Sequence, residues 1–323
     1  MPAASPPLLT PSRRRQAGVV LGVAVLGISL AGPLIRLSSA APLIVTAWRL
    51  VIAETVLLLL LVRRGEWRAW RELSPRQHAI AAGAGGMLAL HFWSWSASLT
   101  YTTVAASVVL VNLQPAMVAL GSTMLLKEAM TRRQMLGLVV GIGGALLVAA
   151  PALLGGASSA GLETVAPFGL PPQLFGDLLA LLGAVTATLY YLAGRRLRAT
   201  LDLVPYVSLV YGWCTLAILT LALLRGENFG PYPASEWAIF AALAAGPMLL
   251  GHTGMNWALR HLPAHVVNLT VLGEPVGASL LAMVIPAIGE RPDGWTVAGG
   301  LLILTGAIWA MSGAEPGRSA PAE

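Results

Sequence analysis

Residues 42–62 have the sequence PLIVTAWRLVIAETVLLLLLV, and Arg63 and Arg64 follow directly. A helix needs about 20 mostly apolar residues to cross a hydrocarbon core of about 30 Å, because it rises about 1.5 Å per residue. This run therefore has the length and the composition of one membrane-spanning helix. Within it, only Arg49 and Glu54 carry charge.

The rest of the chain repeats this pattern. Of the 323 residues, 56% are hydrophobic and 11% are charged, and the mean hydropathy is +0.75. A soluble domain carries about 25% charged residues, so the composition excludes a water-soluble protein. Apolar runs bounded by Arg, Gly and Pro predict ten spans, near residues 18–35, 42–62, 78–99, 103–126, 134–151, 174–194, 203–224, 237–259, 264–286 and 295–313.

The basic residues indicate orientation rather than a nucleic-acid partner. The formal net charge is +6, and Lys127 is the only lysine. The arginines lie in the short gaps between apolar runs, so the expected partner is the lipid bilayer and no nucleic acid. If the N-terminus is cytoplasmic, 16 Lys and Arg residues fall on that side and three on the other. This asymmetry predicts that both termini are cytoplasmic.

The sequence offers no signature of catalysis or of metal binding. Cys214 is the only cysteine, and no Cys/His spacing is typical of a zinc site. No HExxH, GxSxG or GxxxxGK motif is present, so we expect neither an enzyme nor a cofactor. Arg13–Arg15 before an apolar run also suit a secretory signal peptide, but Pro33 and the missing cleavage site favour a first membrane span.

The ten predicted spans divide into two sets of five. The longest gap is rich in Gly, Ser, Ala and Pro, which is typical of a linker. Because five is odd, the second set enters the membrane in the opposite orientation, so the prediction is an all-α membrane protein of ten transmembrane helices in two inverted five-helix repeats. The predicted segments are a cytoplasmic tail 1–17, a first repeat 18–152, a periplasmic linker 153–173, a second repeat 174–313 and a cytoplasmic tail 314–323.

Proline interrupts the fourth and ninth predicted spans near their middles. Gln114 precedes Pro115, and Glu274 precedes Pro275. Proline frees a backbone carbonyl and bends a helix, and such breaks are tolerated in a membrane only inside protein or beside a water-filled cavity. Inverted-repeat transporters place substrate sites at these positions, although a purely structural kink is an equal alternative. A charged Glu274 at mid-bilayer would cost about 2.5–3.5 kcal/mol, so either a substrate or proton role or a structural hydrogen bond is expected.

Two further spans carry polar stripes at helical spacing. The third span has His91, Ser94, Trp95 and Ser98, and the eighth has His252, Met255 and Asn256. Histidine changes charge near neutral pH, although a membrane histidine is equally often a satisfied interhelical hydrogen-bonding group. The predicted substrate-binding residues are His91, Trp95, Asn112, Gln114, His252, Asn256 and Glu274, with Glu274 also the candidate for ion coupling.

Other polar and small residues are expected to make helix contacts, and for Arg49 and Glu54 both a functional and a structural role remain open. Arg49 and Glu54 are five apart, so each is expected to need a partner on another helix. Asp177 lies near a predicted helix start, where a capping role is the expected one. Gly137 and Gly141 form a small-xxx-small pair that permits close helix approach and suggests a homodimer.

The chain resembles the drug/metabolite transporter superfamily, specifically the ten-span proteins with two EamA-type repeats. The residues that carry this resemblance are Trp48-Arg49-Leu50, ASLTYTTVAASVVLVNLQPAMVAL at 97–120, KEAMTRRQMLGLVVGIGGALLV at 127–148, Gly176-Asp177, NWALRHLPAHVVNLTVLGEPVGASLLA at 256–282, and Gly289-Glu290. One departure is Glu128, which follows Lys127 where the family often has glycine.

The resemblance implies a multi-pass secondary carrier of the bacterial inner membrane. Such proteins often export amino acids or other metabolites through a central cavity built from both repeats, and the candidate residues above fall on the helices that would line it. The leading hypothesis is thus a secondary active transporter that exports a small polar metabolite by alternating access. A passive facilitator or pore is the alternative, and an intramembrane enzyme or sensor is a weaker one.

Overall fold

The computed structural model describes residues 11–118, 120, 131–154, 165–198, 201–258 and 271–312. Every regular element within these ranges is a helix. The predicted all-α class is therefore confirmed for this part of the chain. Most of the predicted N-terminal tail, much of the linker, the C-terminal tail, Lys127 with Glu128 and the start of the ninth predicted span lie outside the described residues.

Six named helices lie in the described part of the first half of the chain. The short 3₁₀ helix Glu66–Glu72 joins the third of them to the fourth. The helices are α1 (Pro11–Ser29), α2 (Ala31–Leu37), α3 (Pro42–Arg64), α4 (Pro75–Ser98), α5 (Val104–Val111) and α6 (Arg132–Leu153).

The described residues of the second half also form six helices, and one of its spans contains a π-helical segment, Ala244–His252. A short 3₁₀ turn, Pro167–Gly169, precedes the first of these helices. The helices are α7 (Pro172–Arg198), α8 (Leu203–Leu224), α9 (Ala234–Leu243), α10 (Thr253–Ala258), α11 (Glu274–Val284) and α12 (Gly294–Ser312).

Local sequence signals fix several helix ends. Ser74 Oγ accepts a hydrogen bond from Gln77 N at 3.3 Å, and Gln77 Oε1 accepts one from Ser74 N at 2.9 Å, so a capping box begins α4. Thr131 and Gln134 make the same pair of bonds at the start of α6. The C-cap of α3 is Gly65, whose φ of 67° is one that glycine adopts without strain.

Where the structure describes the chain, six segments are long and apolar enough to cross a membrane: Gly18–Leu37, Pro42–Arg64, Arg132–Pro151, Pro172–Gly194, Leu203–Leu224 and Ala234–Ala258. Three shorter apolar helices, Val104–Val118, Glu274–Val284 and Gly294–Trp309, accompany them. Large apolar side chains such as Leu26, Val62 and Leu223 remain exposed on the outside of the bundle. A lipid environment would cover these side chains, as expected for a membrane protein.

Helices of the first half pack chiefly against helices of the second. The helix α1 packs on the π segment and α11, α4 on α7 and α8, α3 on α8, α5 on α7 and α11, and α6 on α12. The last of these contacts brings backbones together: a Cβ on Gly144 would lie 2.6 Å from the carbonyl oxygen of Gly299. A Cβ on Gly306 would collide with the carbonyl oxygen of Gly137, so the Gly137–Gly141 face is covered by α12 of the same chain.

The prediction that Asp177 caps a helix is wrong. The helix α7 begins at Pro172, a residue whose fixed φ favours the first helical position, so Asp177 lies one turn inside. Its Oδ1 accepts a hydrogen bond from Thr102 Oγ1 at 2.8 Å. Asp177 therefore joins α7 to the loop before α5 instead of satisfying the start of its own helix.

Candidate functional site

The two candidate histidines come from different halves of the chain and meet around one aromatic ring. The imidazole of His252 lies 6.1 Å from the ring centroid of Phe92, and that of His91 lies 5.1 Å from it. The two imidazoles are close enough to interact electrostatically. The structure thus brings His91 and His252 into one cluster.

A backbone contact fixes the protonation pattern of His91. Its Nδ1 lies 2.9 Å from the carbonyl oxygen of Gly183 on α7. Because a carbonyl only accepts, Nδ1 carries the proton and Nε2 of the neutral ring is left as an acceptor. The ring is also nearly parallel to that of Trp95, with an interplanar angle of 5° and a centroid distance of 6.5 Å. His91 is therefore held in one orientation.

Glu274 and Asn112 form a second group. Asn112 follows the last residue of α5, and Glu274 is the first residue of α11. The side chain of Asn112 faces the Glu274 carboxyl group closely enough to interact with it, and its Nδ2 donates a 2.9 Å hydrogen bond to the carbonyl oxygen of Val108. The polar ends of two interrupted helices, one from each half, thus contact each other.

The two prolines lie just after these interruptions. A turn at residues 112–113 separates α5 from a further helical stretch at 114–118, and Pro115 is the second residue of that stretch. Pro275 is likewise in the first turn of α11. A proline costs little there, since the first N–H groups of a helix have no intrahelical partner.

The remaining candidates lie around these two groups. The Gln114 carbonyl oxygen accepts a 3.5 Å hydrogen bond from Thr188 Oγ1 of α7. Asn256 Nδ2 donates to the carbonyl oxygen of His252 at 2.9 Å within its own helical segment. Trp95 is 5% exposed, and its Nε1 has no hydrogen-bond partner. Among the described residues, no hydrogen bond or ring contact joins the histidine cluster to Glu274.

An apolar groove of about 420 Å³ lies elsewhere, between α4 and α8. None of the predicted substrate-binding residues lines it. Its walls are formed by Ala82, Gly86, Trp213, Leu216, Ala217, Thr220, Leu221 and Leu224. Within the described ranges, no group of three or more His, Cys, Asp and Glu side chains is placed to hold a metal ion.

Arg49 lies close to the two histidines in the structure. Its position in the sequence did not indicate this proximity. Its guanidinium carbon lies 4.2 Å from the centroid of the Phe92 ring, and its charge acts on both His91 and His252. We call Arg49, Glu54, His91, Phe92, Cys214 and His252 the central cluster. Sequence reasoning identified Arg49 and Glu54 only as costly charges, because their neighbours lie on other helices.

Sequence reasoning also missed a network at one end of the bundle. Arg36 forms an ion pair with Glu290 and a hydrogen bond to the carbonyl oxygen of Leu99. The second oxygen of Glu290 accepts from Val104 N at 2.7 Å. Ser38 and Ser39, which follow Arg36 closely in the sequence, donate to the Glu236 carboxylate: Ser38 Oγ at 2.5 Å and Ser39 N at 2.7 Å. We call Arg36, Ser38, Ser39, Thr102, Asp177, Glu236 and Glu290 the end layer.

The end layer joins the two halves of the chain through loops and helix ends. Apart from the Arg36–Leu99 hydrogen bond, each of these contacts connects a residue before 105 with one after 176. The only sequence signal was the presence of acidic residues near predicted helix ends. That signal does not identify the partner, since the partners are 75 to 254 positions away.

Comparison with known proteins gives a consistent result. The family model of the EamA-like transporter family matches residues 16–150 and 174–312. The protein named "Uncharacterized transporter YyaM" of Bacillus subtilis (strain 168) is 24% identical over 273 residues, which cover 82% of each chain. A solved structure described as "Crystal structure of protein" has a TM-score of 0.60 and 23% identity over 92% of this chain and 97% of that one, a likeness that shows the fold alone.

The family model covers both halves, and the family and the relative's name point to a transporter rather than an enzyme. The helices that are long and apolar enough to cross a bilayer agree with this. The resemblance to the drug/metabolite transporter superfamily is confirmed, and the chain belongs to the EamA-like transporter family of multi-pass membrane proteins.

Proposed function

We propose that this chain is a secondary active transporter that exports a small polar metabolite, such as an amino acid, across the bacterial inner membrane by alternating access. The observation that carries the proposal is the contact of Asn112 with Glu274, in which the interrupted helices of the two halves meet through polar groups. The histidine pair around Phe92 adds a second polar contact between the halves. Polar groups buried at this depth are costly in lipid, so their retention supports a functional role.

The proposed topology is ten spans in two inverted repeats, residues 18–152 and 174–313, joined by a periplasmic linker. The helix packing supports it. In this topology α1 corresponds to α7, α3 to α8, and α4 to the π segment together with α10; likewise α5 corresponds to α11 and α6 to α12. The contact of α1 with the π segment is then the counterpart of the contact of α4 with α7. The contacts of α3 with α8, α5 with α11 and α6 with α12 each join two corresponding helices, so the symmetry maps each of these contacts onto itself. A pseudo-two-fold axis in the membrane plane relates inverted repeats in this way.

The basic residues support an orientation with both termini in the cytoplasm. In the proposed carrier, the substrate contacts His91, Trp95, Asn112, Gln114, His252, Asn256 and Glu274 as the two halves rock about them. Glu274 is the group that couples transport to a proton. Its carboxylate accepts from Asn112 when ionised, and protonation removes the charge that makes burial in the membrane costly.

Reconstituted vesicles test this proposal. The full chain in proteoliposomes loaded with a mixture of the 20 common L-amino acids is given an imposed pH gradient, and efflux is measured by mass spectrometry. We expect the gradient to accelerate efflux of at least one amino acid and the Glu274→Gln variant to lose at least about tenfold of that acceleration. Glu72→Gln, at an exposed position in the short 3₁₀ helix, is the matched control.

Two outcomes contradict the proposal. If the pH gradient never changes efflux by the wild-type protein, Glu274 does not couple transport to protons. If efflux does not saturate and labelled substrate shows no counterflow, the protein is a passive facilitator and not a carrier.

A further inference from the structure

The short 3₁₀ helix Glu66–Glu72 lies at the level where two membrane-spanning segments end. It follows the candidate span Pro42–Arg64 almost directly. The indole N–H of Trp70 donates a 2.9 Å hydrogen bond to the carbonyl oxygen of Pro205, in the first turn of the candidate span Leu203–Leu224. Since the ends of spans lie at the membrane–water interface, this helix lies beside the lipid headgroups.

One face of this helix is anchored to the bundle. The side chains of Ala69, Trp70 and Leu73 pack against the buried core. His78 Nε2 donates a 3.1 Å hydrogen bond to the carbonyl oxygen of Trp70, because a carbonyl only accepts. The capping box at Ser74 then begins α4. The backbone of the short helix is therefore held from two sides, and its opposite face is presented on a fixed support.

The exposed side of this region is basic. Residues 63–76 contain two glutamates and five arginines, which gives a formal charge of +3. All five arginines are exposed: Arg63, Arg64, Arg68, Arg71 and Arg76. Arg64 lies 3.9 Å from Glu66, whereas the other four form no ion pair with any residue that the structure describes. Most of this positive charge is therefore uncompensated by the protein.

One indole ring holds two of these charges in place. The guanidinium carbon of Arg71 lies 4.5 Å from the centroid of the Trp67 ring, and that of Arg68 lies 5.7 Å from it. Both distances are within the range of a cation–π contact. Such a contact uses a face of the guanidinium group, so its in-plane N–H donors stay available. Two such donor groups beside each other suit a phosphate, which accepts paired hydrogen bonds from arginine.

We propose that Trp67, Arg68 and Arg71, with the neighbouring exposed arginines, form a binding site for the headgroup of an anionic phospholipid. The guanidinium groups donate to the phosphate oxygens, and the indole ring lies at the headgroup level, where tryptophan is favoured. Clusters of about four to eight basic residues next to a membrane span are typical of anionic-lipid binding. A zwitterionic headgroup is disfavoured, because its ammonium group would face the arginines.

The start of α6 shows what distinguishes this site from general attraction between basic residues and lipid. Arg132 and Arg133 are also adjacent and exposed, and they open another candidate span. No aromatic ring among the described residues lies against either of them. Diffuse attraction depends on charge alone and would treat the two arginine pairs alike. A site in which Trp67 fixes the guanidinium groups requires Arg68 and Arg71 in particular.

Lipid binding to the purified full chain tests the proposal. The protein in detergent micelles is titrated separately with dioleoylphosphatidylglycerol and dioleoylphosphatidylcholine, and bound lipids are counted by native mass spectrometry. We expect the first phosphatidylglycerol to bind at least about tenfold more tightly than phosphatidylcholine. The double variant Arg68→Gln with Arg71→Gln should lose most of this preference, whereas Arg132→Gln with Arg133→Gln should keep most of it. Equal binding of the two lipids, or equal losses in the two double variants, would overturn the proposal.

A substitution that leaves the charge unchanged tests the role of the ring. Trp67→Leu removes the surface that holds Arg68 and Arg71, and we expect it to weaken phosphatidylglycerol binding at least about threefold. Trp295→Leu, at an exposed tryptophan of α12, is the matched control and should leave the affinity unchanged. Unchanged binding by a folded Trp67→Leu variant would reduce the site to diffuse attraction and would overturn the proposal. If that variant does not fold, the comparison of the two arginine pairs decides.

A competition experiment distinguishes a lipid headgroup from a soluble phosphate. Phosphatidylglycerol binding is measured with an excess of glycerol 3-phosphate and, as the control, with sodium chloride at the same ionic strength. We expect the two additions to weaken binding equally, because both act only by screening. Displacement of the lipid by glycerol 3-phosphate alone would show a site for soluble phosphates and would overturn the lipid assignment. The measured quantity is lipid bound and not solute flux, so this result and that of the transport experiment are independent.

Discussion

The end layer and the central cluster both contain arginine and glutamate side chains, but these side chains differ in how far their hydrogen-bonding groups are satisfied. In the end layer, Glu236 accepts three hydrogen bonds, and Glu290 binds both Arg36 and the backbone of Val104. In the central cluster, neither carboxyl oxygen of Glu54 has a hydrogen-bond partner, and neither do Nε and Nη2 of Arg49, whose guanidinium group lies over an aromatic ring. Both regions join the two halves of the chain.

This difference separates polar groups that hold the structure together from those available to a ligand. A satisfied buried carboxylate stabilises the fold, because its hydrogen bonds offset its desolvation. An unsatisfied one costs stability, and such groups are concentrated at functional sites. We therefore expect substitutions in the end layer to lower stability and substitutions of the unpartnered charges to preserve or raise it.

The largest effect is expected from Glu290→Ala. The side chains of Arg36 and Glu290 are only 17% and 15% exposed, so removing the carboxylate leaves a half-buried cation and an unpaired Val104 N–H. We expect a loss of about 2–4 kcal/mol in the free energy of unfolding, measured by denaturation in mixed detergent micelles. Glu227→Ala is the control, since its 3.8 Å contact with the 61% exposed Arg225 should contribute about 1 kcal/mol or less. Equal losses for the two variants would show that the ion pair of the end layer contributes no more to stability than an exposed ion pair does.

The same Glu→Met substitution should change the free energy of unfolding in opposite directions in the two regions. Glu54→Met replaces an unpartnered carboxyl group by an apolar side chain of similar size, and we expect a gain of about 1–2 kcal/mol in unfolding free energy. Glu236→Met removes the acceptor of Ser38 and Ser39 and should lower the same quantity by about 1–3 kcal/mol. The comparison fails if both variants change stability in the same direction.

The smallest changes in stability are expected when single hydroxyl groups are removed. Ser38→Ala removes a 2.5 Å hydrogen bond to Glu236 and should cost about 1 kcal/mol in the same denaturation measurement. Ser208→Ala, in α8, removes a fully buried hydroxyl that has no hydrogen-bond partner, so stability should be unchanged or slightly higher. A loss at Ser208 as large as that at Ser38 would show that a missing partner is not what distinguishes the two regions.

The sequence supplied much of the fold and part of the candidate site. Apolar run length and the arginine-rich gaps predicted membrane-spanning helices, and capping residues such as Ser74 and Thr131 mark two of the observed helix starts. The site residues themselves remain a proposal. The stripe spacing made His91 and His252 candidate site residues, but it did not predict that both of them and Arg49 contact the ring of Phe92.

The failed prediction at Asp177 shows where local reasoning ends. A capping role follows from an acidic residue near an expected helix start, whereas the actual start was set by Pro172 one turn earlier. The Gly137–Gly141 pair likewise indicates close packing, and only the structure identifies α12 of the same chain as the helix that approaches it.

What the sequence determined by itself is local: which segments are apolar enough to enter lipid, where helices begin, and which side chains are too polar to be there without a reason. What the tertiary structure alone decided is the identity of partners, such as Glu290 for Arg36 and an aromatic ring for Arg49. The physical reason is that hydrophobic transfer and helix formation depend on neighbouring residues in the chain, whereas compensation of a buried charge depends on atoms that only packing brings within a few ångströms.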